Sequence, residues 1–236
     1  MMTSLSPEEW MIISLSLRIS IVAVLAVLPA AFALAWILAR WQFPGKLLLD
    51  AAVHLPLVVP PVVTGWALLL LFAKNGPIGS WLFDWFGISL LFRWTGAALA
   101  AAIMALPLMV RALRLSIEAI DRRLEQAALT LGASPARTFL TISLPLAFPG
   151  LVAGMILGFA RCMGEFGATI SFVSNIPGET QTIPIAIYAA MQSPGSEMLV
   201  ARLALISILL SLGALIAAEF LNRKITGRKL DDGTRH

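Results

Sequence analysis

The sequence predicts an all-α integral membrane protein with about five transmembrane helices and at most six. Of its 236 residues, 59% are hydrophobic and only 13% are charged, and the mean hydropathy is +0.89. A soluble domain carries roughly 25% charged residues, so about half of the usual charge is missing. We therefore expect a single transmembrane domain over residues 1–236, with its core at about residues 12–221, and no separate soluble domain.

The spans are predicted from apolar runs of about 20 residues, the length that a helix needs to cross a hydrocarbon core of roughly 30 Å. They cover about residues 16–39, 50–73, 93–114, 139–165 and 199–220. A shorter apolar piece, residues 183–191, cannot span, and we expect a re-entrant or interfacial helix there.

The basic residues predict the orientation of the chain. With five spans, 12 of the 17 Lys and Arg residues fall on one side, in the first connection, the third connection and the C-terminal tail. Because Lys and Arg accumulate in cytoplasmic loops, we expect the N-terminus outside and the C-terminus in the cytoplasm. The net charge of +4 therefore indicates membrane topology and not nucleic-acid binding.

The third connection, residues 115–138, begins with an amphipathic helical pattern. Apolar residues recur at helical spacing from Ile117 to Leu131, with Glu118, Arg122 and Glu125 on the opposite face. We expect one continuous helix over this segment.

A tight turn and a second helix follow. Gly132 stands where a helix ending needs a left-handed residue. Ser134 then offers an N-cap hydroxyl, and Pro135 fits the first helical position, where no N–H is required. Residues 124–145 therefore read as helix, turn and helix, a polar element that a membrane protein offers to a partner.

The second predicted span contains Pro56, Pro60 and Pro61, followed by Thr64. Each proline removes a backbone donor and kinks a helix, and broken helices at membrane depth often line a transport route. The alternative is a kinked helix that serves only for packing.

The fourth span ends with a charged pair, Arg161 and Glu165, and Thr169 lies four residues further on. Charged residues at membrane depth are costly and usually face a polar interior or each other. A gate element and a structural ion pair are both open readings. Gly164 and Gly167 would allow close helix approach, which suits a symmetric subunit contact.

Motifs of autonomous chemistry are missing. The sequence has no G-x-x-x-x-G-K-[ST], no H-E-x-x-H and no G-x-S-x-G. Its one cysteine, Cys162, excludes an internal disulfide and a cysteine metal cluster. We therefore expect neither an enzyme nor a chain that uses ATP by itself.

The loop resembles the signature of importer-type ABC transporter permeases, which reads E-A-A, then G, then I-x-L-P. The matching positions are Gln126, Ala127, Ala128, Gly132, Ile142, Leu144 and Pro145. Gln126 occupies the glutamate position and Glu125 precedes it, so either could make the coupling contact. Residues 54–65, 106–121 and 164–188 are similar to molybdate permease subunits in particular.

The resemblance implies a type I permease fold in the cell inner membrane, surrounded by lipid. It further implies a homodimer, two copies of an ABC ATP-binding subunit, and an external (periplasmic) molybdate-binding protein. ATP and Mg²⁺ would bind the partner subunit, and this chain would bind no cofactor and no nucleic acid. The residues implied in coupling are Glu125, Gln126, Ala127, Ala128, Gly132, Ala133, Ser134, Arg137, Ile142 and Pro145.

Two further functions stay open on the sequence. A sulfate or tungstate permease would share the same plan. An autonomous channel or ion-coupled carrier would instead transport without any ATPase.

Overall fold

The computed structural model describes residues 5–232, and that range is helical without a β-strand. The helices are α1 (Pro7–Arg40), α2 (Lys46–Val58), α3 (Pro61–Phe72), α4 (Pro77–Phe86), α5 (Trp94–Glu118), α6 (Arg122–Thr130), α7 (Pro135–Thr138), α8 (Leu144–Met163), α9 (Gly167–Val173), α10 (Ile183–Met191) and α11 (Glu197–Asp232). A π-helical turn, Phe139–Ser143, joins α7 to α8 without a break.

Within residues 5–232, four helical segments are long and apolar enough to cross a membrane. They are α1, α5, the continuous segment Pro135–Met163, and the first part of α11, Glu197–Ala214. Together α2 and α3 form a fifth candidate, bent by 112°. The predicted fold class, all-helical with about five spans, is confirmed.

The second predicted span, residues 50–73, is two helices and not one. Val59 and Pro60 both have extended backbone, with ψ of 135° and 133°, and α3 starts at Pro61. Each proline disfavours helical backbone in the residue before it, so the Pro60-Pro61 pair ends α2 and restarts the helix. Pro56 lies inside α2 without ending it.

The core is organised around α5, which packs against α1 on one side and α8 on another. The α5 side of the contact is rich in alanine, and six alanines of α5 are buried. Glycines recur every fourth residue on α8, at 150, 154 and 158. A Cβ at Gly158 would lie 2.6 Å from the Met109 sulfur, so the two helices approach closely along this stripe.

A second packing group joins α10 to α1 and α11. Residues 183–191 form a helix as expected, and Ile183 and Ile185 are completely buried. The hydroxyl of Ser16 on α1 accepts a hydrogen bond of 2.8 Å from the Ile183 N–H. α10 is therefore attached to the first helix at its own N-terminus.

Ion pairs show which helix ends lie together. Arg40, the last residue of α1, pairs with Glu125 on α6, and Asp50 near the start of α2 pairs with Arg114 near the end of α5. We call this end of the bundle, with the 119–143 connection, the loop end. At the opposite end, Glu9 near the start of α1 pairs with Arg202 near the start of α11.

Candidate functional site

The connection after α5 starts with a break that the sequence pattern did not predict. The expected continuous helix from Ile117 to Leu131 is interrupted at residues 119–121, so this part of the prediction is wrong. The Asp121 carboxylate accepts a 2.9 Å hydrogen bond from the Arg123 N–H and caps α6. Asp at this position competes for a backbone donor and starts a new helix.

The turn between α6 and α7 has the predicted chemistry. Gly132 has a φ of +87°, and the Ala133 N–H donates to the Ala128 carbonyl at 3.0 Å, which closes the end of α6. The Ser134 hydroxyl accepts from the Arg137 N–H at 3.3 Å, and Pro135 opens α7. The turn is therefore set by local sequence, with no help from distant parts of the chain.

The orientation of α6 departs in part from the simple amphipathic expectation. No residue of α6 is buried, and three leucines of the α6 segment, Leu124, Leu129 and Leu131, are exposed, Leu131 at 89%. Glu125, expected on the solvent side, instead faces the protein. These three leucines are therefore presented outward from this chain.

Glu125 is held by two donors from other elements. Its Oε1 accepts 2.8 Å from Arg40 Nη2 and 2.6 Å from the Ser143 hydroxyl. The side chains of Arg40 and Glu125 are only 10% and 19% exposed. Gln126, by contrast, is exposed, and its side chain makes no hydrogen bond within residues 5–232.

The remaining coupling candidates differ in exposure. Ala127, Gly132, Ser134, Arg137 and Pro145 are exposed, whereas Ala128, Ala133 and Ile142 are half-buried. Together with Gln126, we call the exposed members the loop-end surface.

The two intramembrane features singled out in the sequence meet in space. α3, which starts at the Pro60-Pro61 break, packs against α9, which starts just after Glu165. A Cβ at Gly167 would lie 2.8 Å from Pro61 Cβ, and one at Gly65 would lie 2.9 Å from Ala168 Cα. Two helix breaks, about a hundred residues apart in the chain, therefore form one packed unit.

Other members of this predicted group are less central. Thr64 is half-buried beside Gly65, and Thr169 is buried on α9. Pro56 lies inside α2, which packs against α5. Gly167 contacts Pro61 within the chain, so this glycine is used for an internal contact.

Arg161 and Glu165 form the expected ion pair. The sequence predicted that both lie on one helix, but Glu165 lies beyond the end of α8. α8 ends at Met163, because Gly164 leaves the helical conformation. Glu165 Oε2 pairs with Arg161 Nη1 at 2.6 Å, and Oε1 accepts 2.8 Å from the Ala168 N–H. The buried carboxylate therefore joins the end of α8 to the first turn of α9.

One further polar region lies at the loop end. A cavity of about 410 Å³ at the loop end is lined by Asp50, His54, Arg111, Arg114, Leu115 and Glu118. Arg114 is paired there with Asp50 and Glu118, which offsets its charge. Within the described residues, no three His, Cys, Asp or Glu side chains are grouped to hold a metal ion.

Sequence reasoning missed Arg40, Ser143, Asp121 and Gly65. Asp121 could have been found, because an Asp followed by a helical pattern is an N-cap signal. Gly65 could have been noted as a small residue just after the Pro60-Pro61 pair, as Gly167 was for the second break. Arg40 and Ser143 have no local signal, since Arg40 lies 85 residues from Glu125 in the chain.

Relatives of known function match most of the chain. It is 56% identical over 219 residues to the molybdenum transport system permease protein ModB of Escherichia coli (strain K12), covering 93% of this chain and 96% of that protein. The ModB protein of Haemophilus influenzae is 55% identical, with 94% and 96% covered. The sulfate transport system permease protein CysT of E. coli K12 is 36% identical, with 82% and 71% covered.

The fold is also similar to a solved transporter. A chain of a bacterial ABC transporter that imports the acidic polysaccharide alginate superposes with a TM-score of 0.74 at 17% identity, covering 94% of this chain and 81% of that one. Residues 28–227 match the family described as binding-protein-dependent transport system inner membrane component. These similarities confirm the predicted family, and the chain belongs to the inner membrane components of binding-protein-dependent transport systems.

Proposed function

We propose that this chain is the membrane-spanning permease subunit of an ATP-driven molybdate importer. The observation that carries the proposal is the 56% identity, over 93% of the chain, to a molybdenum transport permease. Identity to a sulfate permease is 36%, which supports molybdate over sulfate as the substrate.

The chain acts as a homodimer with two ABC ATP-binding subunits and an external molybdate-binding protein. The ATP-binding subunits bind ATP and Mg²⁺ and dock on the loop-end surface. That surface includes Gln126, the turn at Gly132, and the exposed leucines of α6. Since Glu125 is engaged inside the chain by Arg40 and Ser143, Gln126 makes the contact that the signature glutamate makes elsewhere.

The translocation route follows the packed pair of helix breaks, Pro60-Pro61 and Gly164–Gly167. Breaks of this kind free backbone groups that a route can use. Glu165 holds the α8–α9 break in shape and does not bind the anion, since both its oxygens are engaged and it carries a negative charge. A dianion then crosses without a tight site that would retain it, and specificity lies in the external protein.

When ATP binds, the two ATP-binding subunits close on each other. This closure brings the two coupling loops together and moves the spans between inward-open and outward-open states. Each state is stabilised by a different set of ligands, as alternating access requires.

The test is uptake in proteoliposomes that contain this chain, its ATP-binding subunit and the external binding protein. We expect labelled molybdate to accumulate only when all three proteins and ATP are present. Omitting the ATP-binding subunit is the matched control. Uptake without it would indicate an autonomous carrier or channel and contradict the proposal. Sulfate uptake with no movement of molybdate and no competition by it would instead indicate a sulfate permease.

A tungstate permease is the second candidate within the same class. Tungstate is also a tetrahedral dianion, so competition by unlabelled tungstate in the same assay measures the preference directly.

A further inference from the structure

The last residue of α1 is tied to the loop through a cluster that nothing in the family signature requires. Arg40 donates to Glu125, and Ser143 donates to the same carboxylate oxygen. We call Arg40, Glu125 and Ser143 the inner cluster. It brings together three elements: the end of α1, the helix α6, and the π-helical turn that leads into α8.

Aromatic contacts join the same elements. The ring centroids of Trp36 and Phe139 lie 5.1 Å apart in an edge-on arrangement, and Phe32 lies 6.1 Å from both rings. The Arg40 guanidinium lies 5.3 Å from the Trp36 ring centroid. Because Phe139 begins the π-helical turn, α1 contacts the coupling segment through both charge and packing.

The other end of α1 is tied to different elements. Buried Glu9 pairs with Arg202 of α11 at 2.9 Å, and Ser16 accepts the Ile183 N–H of α10 at 2.8 Å. α1 is continuous over 34 residues, which is about 51 Å at 1.5 Å per residue. A single helix therefore links the loop end of the bundle to α10 and α11 at the opposite end.

We propose that α1 transmits the movement of the coupling loop to the opposite end of the permease, and that the inner cluster makes α1 move with the loop. The proposal rests on the proposed function, in which a movement of the ATP-binding subunit displaces the loop. Arg40, Glu125 and Ser143 act as positioning residues, and none of them contacts the transported ion. The coupling is reciprocal, so events at the outer end also reach the ATP-binding subunit through α1.

The experiment uses the reconstituted complex and three readouts: basal ATP hydrolysis, its stimulation by molybdate-loaded binding protein, and uptake. In the variant Arg40→Met, basal hydrolysis should persist because the exposed docking surface is unchanged. Stimulation and uptake should fall by at least about fivefold, the lower end of usual coupling factors. Glu118→Gln is the matched control. It removes an ion pair at the same end of the bundle, but that pair does not connect α1 to the loop, so the variant should behave as wild type.

A variant at the far end separates transmission from local anchoring. Ser16→Ala removes the hydrogen bond between α1 and α10, far from the loop, and should also lower stimulation while basal hydrolysis persists. If a cluster variant fails to assemble, Arg40→Lys and Ser143→Ala provide milder tests of the same contacts.

Three results have distinct meanings. Wild-type stimulation in assembled cluster variants overturns the proposal. Equal loss of basal and stimulated hydrolysis also overturns it, since this would show a docking role. Failure of the wild-type complex to take up molybdate or to respond to the binding protein would instead overturn the proposed function.

Discussion

Gly132 is the residue at which the connection between α6 and α7 reverses direction, and its backbone sets the shape of the surface that is proposed to dock the ATP-binding subunit. Its φ of +87° is unfavourable for residues with a Cβ, and an added Cβ would meet no atom within 4 Å. A substitution there therefore acts through backbone conformation and not through a clash inside this chain.

We expect Gly132→Val to reduce association with the ATP-binding subunit by about 5- to 30-fold, corresponding to about 1–2 kcal/mol for a left-handed residue with a Cβ. Gly132→Asn should lose much less, because Asn tolerates this conformation. Co-purification and titration of the complex measure both effects.

Gly45 supplies the control for this substitution. It has a φ of +93° and equally open surroundings, but it lies outside the coupling loop. Gly45→Val should therefore leave association unchanged. An association as strong in Gly132→Val as in wild type would contradict a docking role for this turn.

Glu165 illustrates how a buried charge can be costly and still structural. Its two oxygens are used by Arg161 and by the Ala168 N–H, so the carboxylate replaces the hydrogen bonds that its burial removes. Between the two roles left open by the sequence, a gate and a structural ion pair, these contacts favour the structural one.

At the scale of elements, the pairing of α3 with α9 is the least expected feature of the molecule. Each helix begins at a break, and a Cβ added at Gly65 or at Gly167 would lie less than 3 Å from an atom of the other helix. Close backbone approach requires small residues at the crossing, and both positions are glycine. The proposed route is therefore bordered by two rigidly packed helix starts.

We expect Gly65→Ala to lower uptake strongly, because one methyl group there would overlap the backbone of α9 at Ala168. Overpacking of this kind costs about 1–3 kcal/mol and forces backbone shifts. Thermal unfolding of the purified permease should show a lower Tm, and vesicle uptake should show the functional loss.

Gly213→Ala is the matched control, since a Cβ on that α11 glycine would meet no atom within 4 Å. It should preserve both Tm and uptake. If Gly65→Ala retained both as well, the close contact between α3 and α9 would not be needed for transport.

At the scale of the whole molecule, the chain is a multi-pass inner membrane protein whose helix ends fall into two groups. Arg40, the basic residues of the third connection and the start of α2 share the loop end, whereas Glu9 and Arg202 share the opposite end. Because basic residues accumulate on the cytoplasmic side, the loop end is expected to face the cytoplasm. That residues 1–236 form one domain in this orientation stays a prediction.

Cysteine labelling tests the orientation, because Cys162 is the only cysteine of the sequence and is buried. In a Cys162→Ala background, Ser134→Cys should react with a membrane-impermeant maleimide only from the cytoplasmic side. Ser193→Cys, in the exposed turn after α10, should react only from outside. The reverse pattern would contradict the orientation.

The parts that local sequence determined are those in which a residue acts on its own neighbours. The apolar runs predict the spans, Gly132 predicts the left-handed turn, and Ser134 with Pro135 predicts the start of α7. The Pro60-Pro61 pair breaks its helix for the same reason: proline constrains the backbone beside it. The resemblance to the permease family also rests on motifs of the sequence, and the relatives confirm it.

Tertiary structure decided the contacts between distant segments. Periodicity placed Glu125 on the solvent side. Its carboxylate instead faces the protein, because Arg40, 85 residues earlier in the chain, and Ser143 donate hydrogen bonds to it. The meeting of the α2–α3 break with the α8–α9 break is of the same kind, since only packing determines which small residues face each other. The local sequence pattern determines which secondary structure a segment can form. The free energy of contacts between distant segments determines which segments pack together, and therefore which residues form the site.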